Sequence, residues 1–292
     1  ASVDTSVDVP CDDTILSHVG DAYRKIRNTL RFLLGELEGQ FDPATDGLPF
    51  DELEPFDKLT LAHMCEVHDV VTRAYSEYRF NVVYRNLYDY VTELSNGYLN
   101  ATKDRTYCGG RGTHERLSAQ TTWAHILTML VHDLQPVLVY TTDEIMQYLP
   151  ESMRDGQKYA ALLDWYQNPV DADVYMGFLP AYRALVEARG AFTKSYEEAT
   201  ASGVVEEKTT QAARAELTLP QEQYDALAQS GCDLAEAFVC SDVCLHAGEE
   251  LSCEVLPANG EKCPRCWNWR ELGEDGLCER CHDVVAQLAD EE

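Results

Sequence analysis

The motif CPRC occupies residues 263–266 and the motif CERC occupies residues 278–281, with eleven residues between them. A Cys-x-x-Cys motif lets two thiolates reach one ion from a single tight turn, and a second motif completes the closed tetrahedral shell of a structural zinc site. Four thiolates leave no open coordination position, so the pattern predicts one structural Zn²⁺ and no metal catalysis. The predicted ligands are Cys263, Cys266, Cys278 and Cys281.

A redox dithiol is the alternative interpretation of a Cys-x-x-Cys motif. That chemistry needs only one such motif, usually at the start of a helix in a thioredoxin-like βαβ unit. The sequence around residues 263–281 shows two motifs and no such unit. The spacing therefore favours the metal site.

Two tryptophans, Trp267 and Trp269, alternate with the cations Arg265 and Arg270 beside the first motif. Aromatic rings interleaved with cations are typical of a surface that stacks on bases and contacts a nucleic-acid backbone. A module of about thirty residues must also bury some apolar group, so one indole can instead pack under the metal. Both interpretations hold together if one ring is buried and the other is exposed.

The chain of 292 residues is 45% hydrophobic and 10% aromatic, which suits about two domains and a small module. It contains no run of about 18 apolar residues, so we expect no membrane span. The N-terminal residues lack the charged and apolar regions of a signal peptide. Eleven cysteines, four of them predicted ligands, leave an odd number in apolar stretches, which favours a reducing cytoplasm over a disulfide framework.

The net charge of −28, taken alone, argues against a polyanionic partner. The cations are nevertheless clustered, because residues 22–34 contain four cations and no acid, and residues 103–116 contain four cations and two acids. Local basic faces on an acidic protein can contact phosphates. An ordinary solvated helix face is the alternative interpretation of each cluster.

Apolar residues recur at helical spacing through the first half of the chain. In the first such stretch Ile15, Val19, Ile26 and Leu30 share one face. Five helices joined by short connections predict an antiparallel helical bundle. The predicted helices cover residues 13–37, 55–78, 81–98, 113–134 and 142–149, and residues 103–116 are predicted to be a basic loop.

The periodicity changes in the second half of the chain. Helices are predicted at residues 174–200 and 220–229, and strands at residues 215–219, 237–245 and 251–256. We therefore predict a mainly α protein in which an antiparallel helical bundle is followed by a small α+β junction domain and a zinc module with four cysteine ligands. The predicted boundaries are 1–165 for the bundle, 166–258 for the junction domain and 259–292 for the zinc module.

The sequence contains no recognisable catalytic motif. It has no Gly-x-x-x-x-Gly-Lys-Ser/Thr loop, no Gly-x-Ser-x-Gly elbow and no His-Glu-x-x-His pattern. Cys240, Cys244, His246 and Cys253 could form a second metal site, but buried structural cysteines in a pair of strands are the favoured interpretation. The residues alone therefore predict a recognition or accessory role, with no catalytic residue in this chain.

Several stretches follow an order known from one protein family. Residues 21–34 read DAYRKIRNTLRFLL, residues 103–107 read KDRTY, residues 135–145 read QPVLVYTTDEI, residues 260–267 read GEKCPRCW and residues 277–281 read LCERC. In this order they resemble the anticodon-binding domain and C-terminal zinc module of bacterial isoleucyl-tRNA synthetases, which are class I aminoacyl-tRNA synthetases. The synthetases for valine and leucine share the helical bundle, but this zinc ending does not resemble theirs.

The resemblance implies a ligase that joins isoleucine to its tRNA through an isoleucyl-adenylate made from ATP. The His-Ile-Gly-His and Lys-Met-Ser-Lys-Ser motifs of class I ATP-binding domains are missing from residues 1–292. We therefore expect a C-terminal fragment that binds no ATP and is inactive alone. Its expected partners are the anticodon stem-loop of tRNA(Ile) and the catalytic and editing domains of the same chain. A cytoplasmic monomer without membrane contact is expected.

The resemblance also gives the clustered cations and aromatic residues an expected role. Bases of an RNA loop are read by stacking and by edge hydrogen bonds, while cations position the backbone. A salt-bridged surface arginine is the alternative interpretation of each cation. The residues expected to contact phosphates are Arg24, Arg27, Lys103 and Arg105, and those expected at the bases are Trp267 or Trp269 with Arg265 and Arg270 beside them.

A non-enzymatic scaffold is the alternative function. In that interpretation the helical bundle and the zinc module bind a protein partner, and the net charge of −28 favours it. The two functions differ in salt dependence, since RNA binding weakens steeply with salt and a protein interface changes little.

Overall fold

The structure is a computed structural model that describes residues 1–3, 8 and 12–290, without the side chain of Asp290. Within these residues it contains twelve α-helices and five strands, which confirms a mainly α protein with a small α+β part. The helices are α1 Asp13–Leu37, α2 Pro43–Asp46, α3 Pro55–Ser76, α4 Phe80–Asn96, α5 Tyr98–Tyr107, α6 His114–Leu134, α7 Val139–Met146, α8 Ala172–Tyr175, α9 Leu179–Ala201, α10 Gln221–Ser230, α11 Leu234–Phe238 and α12 Glu279–Asp290.

The chain divides into two compact units that interleave along the sequence. The first unit contains α1, α4 and α7 with most of α3 and α6, and the second contains α5 and everything from α9 onward. The first unit comprises residues 1–53, 60–96 and 117–176, and the second comprises residues 54–59, 97–116 and 177–292. The boundaries predicted at residues 165 and 258 stay a prediction.

The first unit is built on the amphipathic helix α1. The side chain of Asp12 accepts a hydrogen bond from the backbone N–H of Ile15, which satisfies a free donor in the first turn of the helix. The apolar stripe of α1 is buried from Ala22 to Leu37, as the spacing predicted, whereas Ile15 is half-buried and Val19 is exposed. Helix α1 packs against α4 and α7. Trp123 of α6 is fully buried and meets the ring of Phe32 edge to face at 5.9 Å.

A buried pair, His68 and Asp133, lies within this first unit. His68 Nδ1 is 2.9 Å from Asp133 Oδ1, and His68 Nε2 is 3.0 Å from the carbonyl oxygen of Tyr166. A carbonyl oxygen only accepts, so Nε2 carries a proton. The hydrogen bond between Nδ1 and Oδ1 needs another proton, which is shared by His68 and Asp133. Burial lowers the pKa of His68, but the hydrogen bond and charge of Asp133 outweigh burial and raise it. Burial raises the pKa of Asp133 to about 6.

We expect the free energy of unfolding to decrease as the pH rises above about 6.5, the ordinary pKa of histidine. Above that pH the unfolded chain has released a proton that the folded His68–Asp133 pair still holds, so stability is lost as the pH passes through the raised pKa. Urea unfolding from about pH 6 to about pH 9 measures this slope, and His68→Gln should reduce it. Asp69 and His132, which also act on His68, are kept in both proteins. Equal slopes for both proteins would contradict the expectation.

The second unit contains a three-stranded sheet with the order β2–β1–β3. Strand β1 spans Ala213–Pro220, β2 spans Asp242–Gly248 and β3 spans Ser252–Pro257. Strands β1 and β2 are parallel, and the required crossover is made by α10 and α11, whereas β1 and β3 are antiparallel. Alternate residues of β1 are buried, as the alternating pattern predicted. The other two strands are β4 Glu261–Lys262 and β5 Trp269–Arg270.

Two local expectations were wrong. Residues 103–107 belong to α5 rather than to a basic loop, because the helix predicted over residues 81–98 ends at Asn96 and a new helix begins directly after Gly97. Residues 237 and 238, which were predicted to start a strand, belong instead to helix α11. The Asp233 side chain accepts hydrogen bonds from the backbone N–H groups of Ala235 and Glu236, which starts a helix at this position.

Among the helices that the structure describes, none has both the length and the apolar character needed to cross a membrane.

Candidate functional site

Four cysteines form a compact cage in the second unit. One sulfur atom from each lies within 4.8 Å of the other three, and all four residues are buried. The sulfur atoms of Cys266 and Cys278 are 3.8 Å apart. The structure therefore brings together the four predicted ligands, Cys263, Cys266, Cys278 and Cys281, in a set that could hold a metal ion.

Each half of the cage is built by its own short backbone motif. The first half lies in the loop of the hairpin that joins β4 to β5, where Cys263 donates its N–H to the carbonyl oxygen of Asn268 and its carbonyl oxygen accepts from the N–H of Trp267. Trp267 adopts a left-handed backbone with φ of 66°. The second half turns through Gly276, whose φ is 76°, and continues directly into α12. The ligand positions therefore depend on local turns, which the spacing of the motifs encodes.

The electrostatics of the cage favour a thiolate at Cys263. Burial raises the pKa of this thiol, but backbone N–H groups, including those of Cys266, Cys278 and Arg265, outweigh burial and lower the pKa to about 6. Burial instead raises the pKa of Cys266, and it raises that of Cys278 to about 12. A metal ligand must be deprotonated, so a bound ion would have to displace protons from these two thiols.

The interior of the metal module is filled without either tryptophan. The apolar side chains that pack against the four cysteines are Cys108, Leu272 and Leu277. Trp267 is instead 61% exposed, and Trp269 is half-buried. The space next to the four cysteines is therefore filled by these three smaller residues, and the interpretation that a tryptophan packs under the metal does not hold.

The two tryptophans share one cation. Lys262 Nζ lies 5.7 Å from the ring centre of Trp267 and 5.3 Å from that of Trp269, within the range of cation–π attraction. Arg270 of β5 is exposed. Lys262 was missed in the sequence, although the cross-strand pairing of Lys262 with Trp269 in a short hairpin would have placed them side by side. This cationic and aromatic surface, Lys262, Trp267, Trp269 and Arg270, is called the indole face below.

The remaining predicted residue of the module, Arg265, points toward the cage. Its Nη1 donates to the carbonyl oxygen of Cys108 at 2.5 Å and lies 3.5 Å from Cys281 Sγ. These contacts use the guanidinium inside the module, which disfavours the predicted contact of Arg265 with RNA.

Arg105 on α5 is buried, with 8% of its side chain exposed. Its Nη1 donates to Asp57 Oδ2 at 2.8 Å, and its Nε and Nη2 donate to the two carboxylate oxygens of Glu236 at 2.5 and 2.6 Å. These two carboxylates occupy the guanidinium, which disfavours the predicted contact between Arg105 and a phosphate. Lys103, two residues earlier, is half-buried and donates to Asn100 Oδ1 at 2.8 Å.

The two predicted cations of α1 belong to the first unit and remain accessible. Arg24 forms an ion pair with Asp21, and its side chain is 65% exposed. Arg27 Nη2 lies 3.1 Å from Glu144 Oε1 on α7, and its side chain is 39% exposed. Exposed ion pairs contribute only about 0–1 kcal/mol, so a phosphate can compete with either carboxylate.

The second metal site considered from the sequence is not formed. Cys244 pairs with Glu216 across the sheet, whereas Cys253 pairs with Leu217, so these two cysteines lie on opposite faces. Among the described residues, the cage at residues 263–281 is the only group of cysteine, histidine and acidic side chains close enough to share an ion.

Comparison with known proteins agrees with this architecture. Residues 57–221 match the family described as the anticodon-binding domain of tRNA ligase. Since this match covers more than half of the chain, the chain belongs to that family. It is 36% identical to an isoleucine–tRNA ligase of Desulfovibrio desulfuricans over 98% of this chain and 32% of that protein. It is 35% identical to an isoleucine–tRNA ligase of Symbiobacterium thermophilum over 99% of this chain and 32% of that protein. The chain thus spans about a third of the length of these curated relatives.

Proposed function

We propose that this chain recognises the anticodon stem-loop of an isoleucine tRNA, as the C-terminal part of a cytoplasmic ligase that attaches isoleucine to tRNA(Ile) using ATP. The observation that supports this most is the similarity to isoleucine–tRNA ligases along 98% of the chain. In this proposal ATP binding, catalysis and editing belong to other domains of the same monomeric ligase. The chain contributes tRNA binding through its bundle, its junction domain and its metal module.

The metal in this proposal is one structural Zn²⁺. A donor set of four thiolates is the one that structural zinc sites use, and the buried sulfur atoms fit it because they all lie within 4.8 Å of one another. Zinc would hold the two motifs together and leave no position for a substrate. The cage therefore serves to orient the indole face rather than to carry out chemistry.

The RNA contacts divide by chemistry. On the indole face an exposed ring such as Trp267 offers a stacking surface for an unpaired base, and Lys262 and Arg270 supply positive charge beside it. Arg24, Arg27 and Lys103 are the proposed phosphate contacts. The net charge of −28 does not prevent these contacts. Salt screens the distant acidic residues, so a bound phosphate interacts mainly with the cations next to it.

Trp267→Ala should weaken tRNA binding by roughly 5- to 150-fold, which corresponds to the 1–3 kcal/mol of one base–aromatic stack. Trp267→Phe is the matched control, because it retains a ring and should lose less. Filter binding with transcripts that carry the isoleucine anticodon or an altered anticodon measures both affinity and specificity. The altered anticodon should bind more weakly to the unmodified chain, and this difference should shrink in Trp267→Ala.

Salt dependence tests the proposal against a protein-binding scaffold. Arg270→Gln should reduce the slope of log affinity against log salt by about 0.7–0.9, the value for one phosphate contact. Binding that does not depend on salt, or that ignores the anticodon, would contradict tRNA recognition and favour the scaffold.

A further inference from the structure

The two cysteine motifs share a residue that the ligand pattern does not require. Each carries an arginine directly before its second cysteine, Arg265 in CPRC and Arg280 in CERC. A surface arginine is usually free to point into solvent. In this structure the guanidinium of Arg265 instead contacts the cage, and that of Arg280, whose side chain is 40% exposed, forms an ion pair with Asp104 of α5.

The contacts cross from one motif to the other. Arg265 of the first motif has its Nη1 3.5 Å from the sulfur of Cys281, the last cysteine of the second motif. The positive charge of Arg280 in the second motif acts on the thiol of Cys266, the last cysteine of the first motif. Arg265 therefore contacts a sulfur of the opposite motif, and the charge of Arg280 acts on a sulfur of the opposite motif.

Both arginines are also attached to the last turn of α5. Arg265 Nη1 donates to the carbonyl oxygen of Cys108, the residue that ends α5, at 2.5 Å. Arg280 forms an ion pair with the carboxylate of Asp104, one turn earlier. The thiol of Cys108 packs against the four cysteines. The cage is thus connected to α5 through two guanidinium groups and one side chain.

The two arginines lie where a metal-bound cage would carry negative charge. A divalent cation with four thiolates carries two excess negative charges, and this excess would be buried in a chain whose net charge is already −28. The two guanidinium groups offset part of this excess, since Arg280 also pairs with Asp104, and N–H donors directed at ligand sulfur stabilise the thiolate form. Partners of this kind around metal ligands are as much a part of the site as the ligands.

We infer that Arg265 and Arg280 form a reciprocal clasp, in which each arginine neutralises and orients a thiolate of the opposite motif and fastens the cage to the end of α5. The inference rests on the proposed zinc site. It makes both arginines positioning residues rather than RNA contacts. It also links the metal to α5, the helix that carries Lys103.

Zinc retention tests the clasp without RNA. Arg265→Gln and Arg280→Gln, each in the chain of 292 residues, should bind zinc 10- to 100-fold more weakly, as is typical when a partner of a metal ligand is lost. Transfer of zinc to the coloured chelator 4-(2-pyridylazo)resorcinol measures this. Arg270→Gln is the matched control, since Arg270 is an exposed arginine of the same module, and it should retain zinc like the unmodified chain.

A second readout follows the attachment to α5. Backbone hydrogen exchange at residues 104–108 should speed up in both glutamine variants and in the unmodified chain after zinc removal, but not in Arg270→Gln. Arg265→Lys and Arg280→Lys keep the positive charge but lose the planar set of N–H donors of the guanidinium, so they should retain more zinc than the glutamine variants. The lysine variants decide the matter if a glutamine variant does not fold, as judged by circular dichroism.

The outcomes separate this inference from the function on which it rests. Glutamine and lysine variants that hold zinc within twofold of the unmodified chain would overturn the clasp and leave tRNA recognition untouched. An unmodified chain that holds no zinc would overturn the proposed metal and the clasp together. Weaker zinc binding in both arginine variants, with Arg270→Gln unchanged, would support the clasp even if tRNA binding failed.

Discussion

Replacing Cys278 with serine should unfold the metal module, residues 259–290, and reduce bound zinc from one ion per chain to none. Zinc binding by four-ligand modules contributes about 10–16 kcal/mol, and that binding free energy is also the folding free energy of the module. Chelation of the unmodified chain should have the same result. Hydrogen exchange across these residues and zinc analysis of the purified chain are the measurements.

The large effect follows from how little else holds the module together. Strands β4 and β5 contain only two residues each, and beyond the cysteines α12 buries Val284, while Val285 and Leu288 on the same helix are 42% and 45% exposed. Burial of Val284 contributes about 1.5–3 kcal/mol, and the partly buried Leu272 and Leu277 contribute less each, so the sum is far below the entropy cost of ordering some thirty residues. The cage must supply the difference.

A cysteine outside the cage provides the control. Cys244 is half-buried on β2 and lies on the face of the sheet that carries Glu216, so Cys244→Ser should leave zinc content and exchange unchanged. The expectation fails if the chelated chain exchanges as slowly at residues 259–290 as the untreated chain, because apolar packing alone would then hold the module.

The metal cage could be predicted from the sequence because its geometry is local. A Cys-x-x-Cys turn places both sulfurs of one motif, and only the meeting of the two motifs had to be assumed. The long helices were predictable for a related reason. Their apolar residues repeat every three to four positions, so α1 shows its buried face in the spacing of Ile26, Leu30, Leu33 and Leu37.

The roles of individual cations could not be predicted in the same way. Arginines and lysines look alike in a sequence, but their partners are distant: Arg105 binds Glu236, which is 131 residues away, and Arg265 binds Cys108, which is 157 residues away. Lys262 was overlooked because its partner Trp269 lies across a hairpin only two residues long on each side. Whether a cation faces solvent or a buried carboxylate is decided by tertiary packing, which periodicity does not encode.

Arg105→Met should destabilise the second unit by about 3–5 kcal/mol, the cost of removing one partner from a buried ion pair. The loss is large because Asp57 is fully buried and Glu236 is mostly buried, with 0% and 23% of their side chains exposed. Tyr98 donates to Asp57 Oδ1 at 2.6 Å and remains, but a neutral hydroxyl cannot balance the charge. Urea unfolding of the variant and the unmodified chain measures the difference.

Two comparisons isolate the buried charge from other effects of the substitution. Arg24→Met removes an exposed ion pair of the first unit and should cost at most about 1 kcal/mol. Adding Asp57→Asn and Glu236→Gln to Arg105→Met removes the two buried negative charges that Arg105 had balanced, so the triple variant should recover part of the stability. Equal costs for Arg105→Met and Arg24→Met would contradict the buried network.

The same variant decides between the two roles considered for Arg105. A phosphate contact would be lost with it, and the slope of log affinity for tRNA against log salt would fall by about 0.7–0.9. A guanidinium that is occupied by Asp57 and Glu236 has no phosphate to release, so the slope should stay unchanged under conditions where the variant is folded. Burial of Arg105 beside α11 thus predicts a protein that unfolds more easily but, while folded, binds RNA with the same salt dependence.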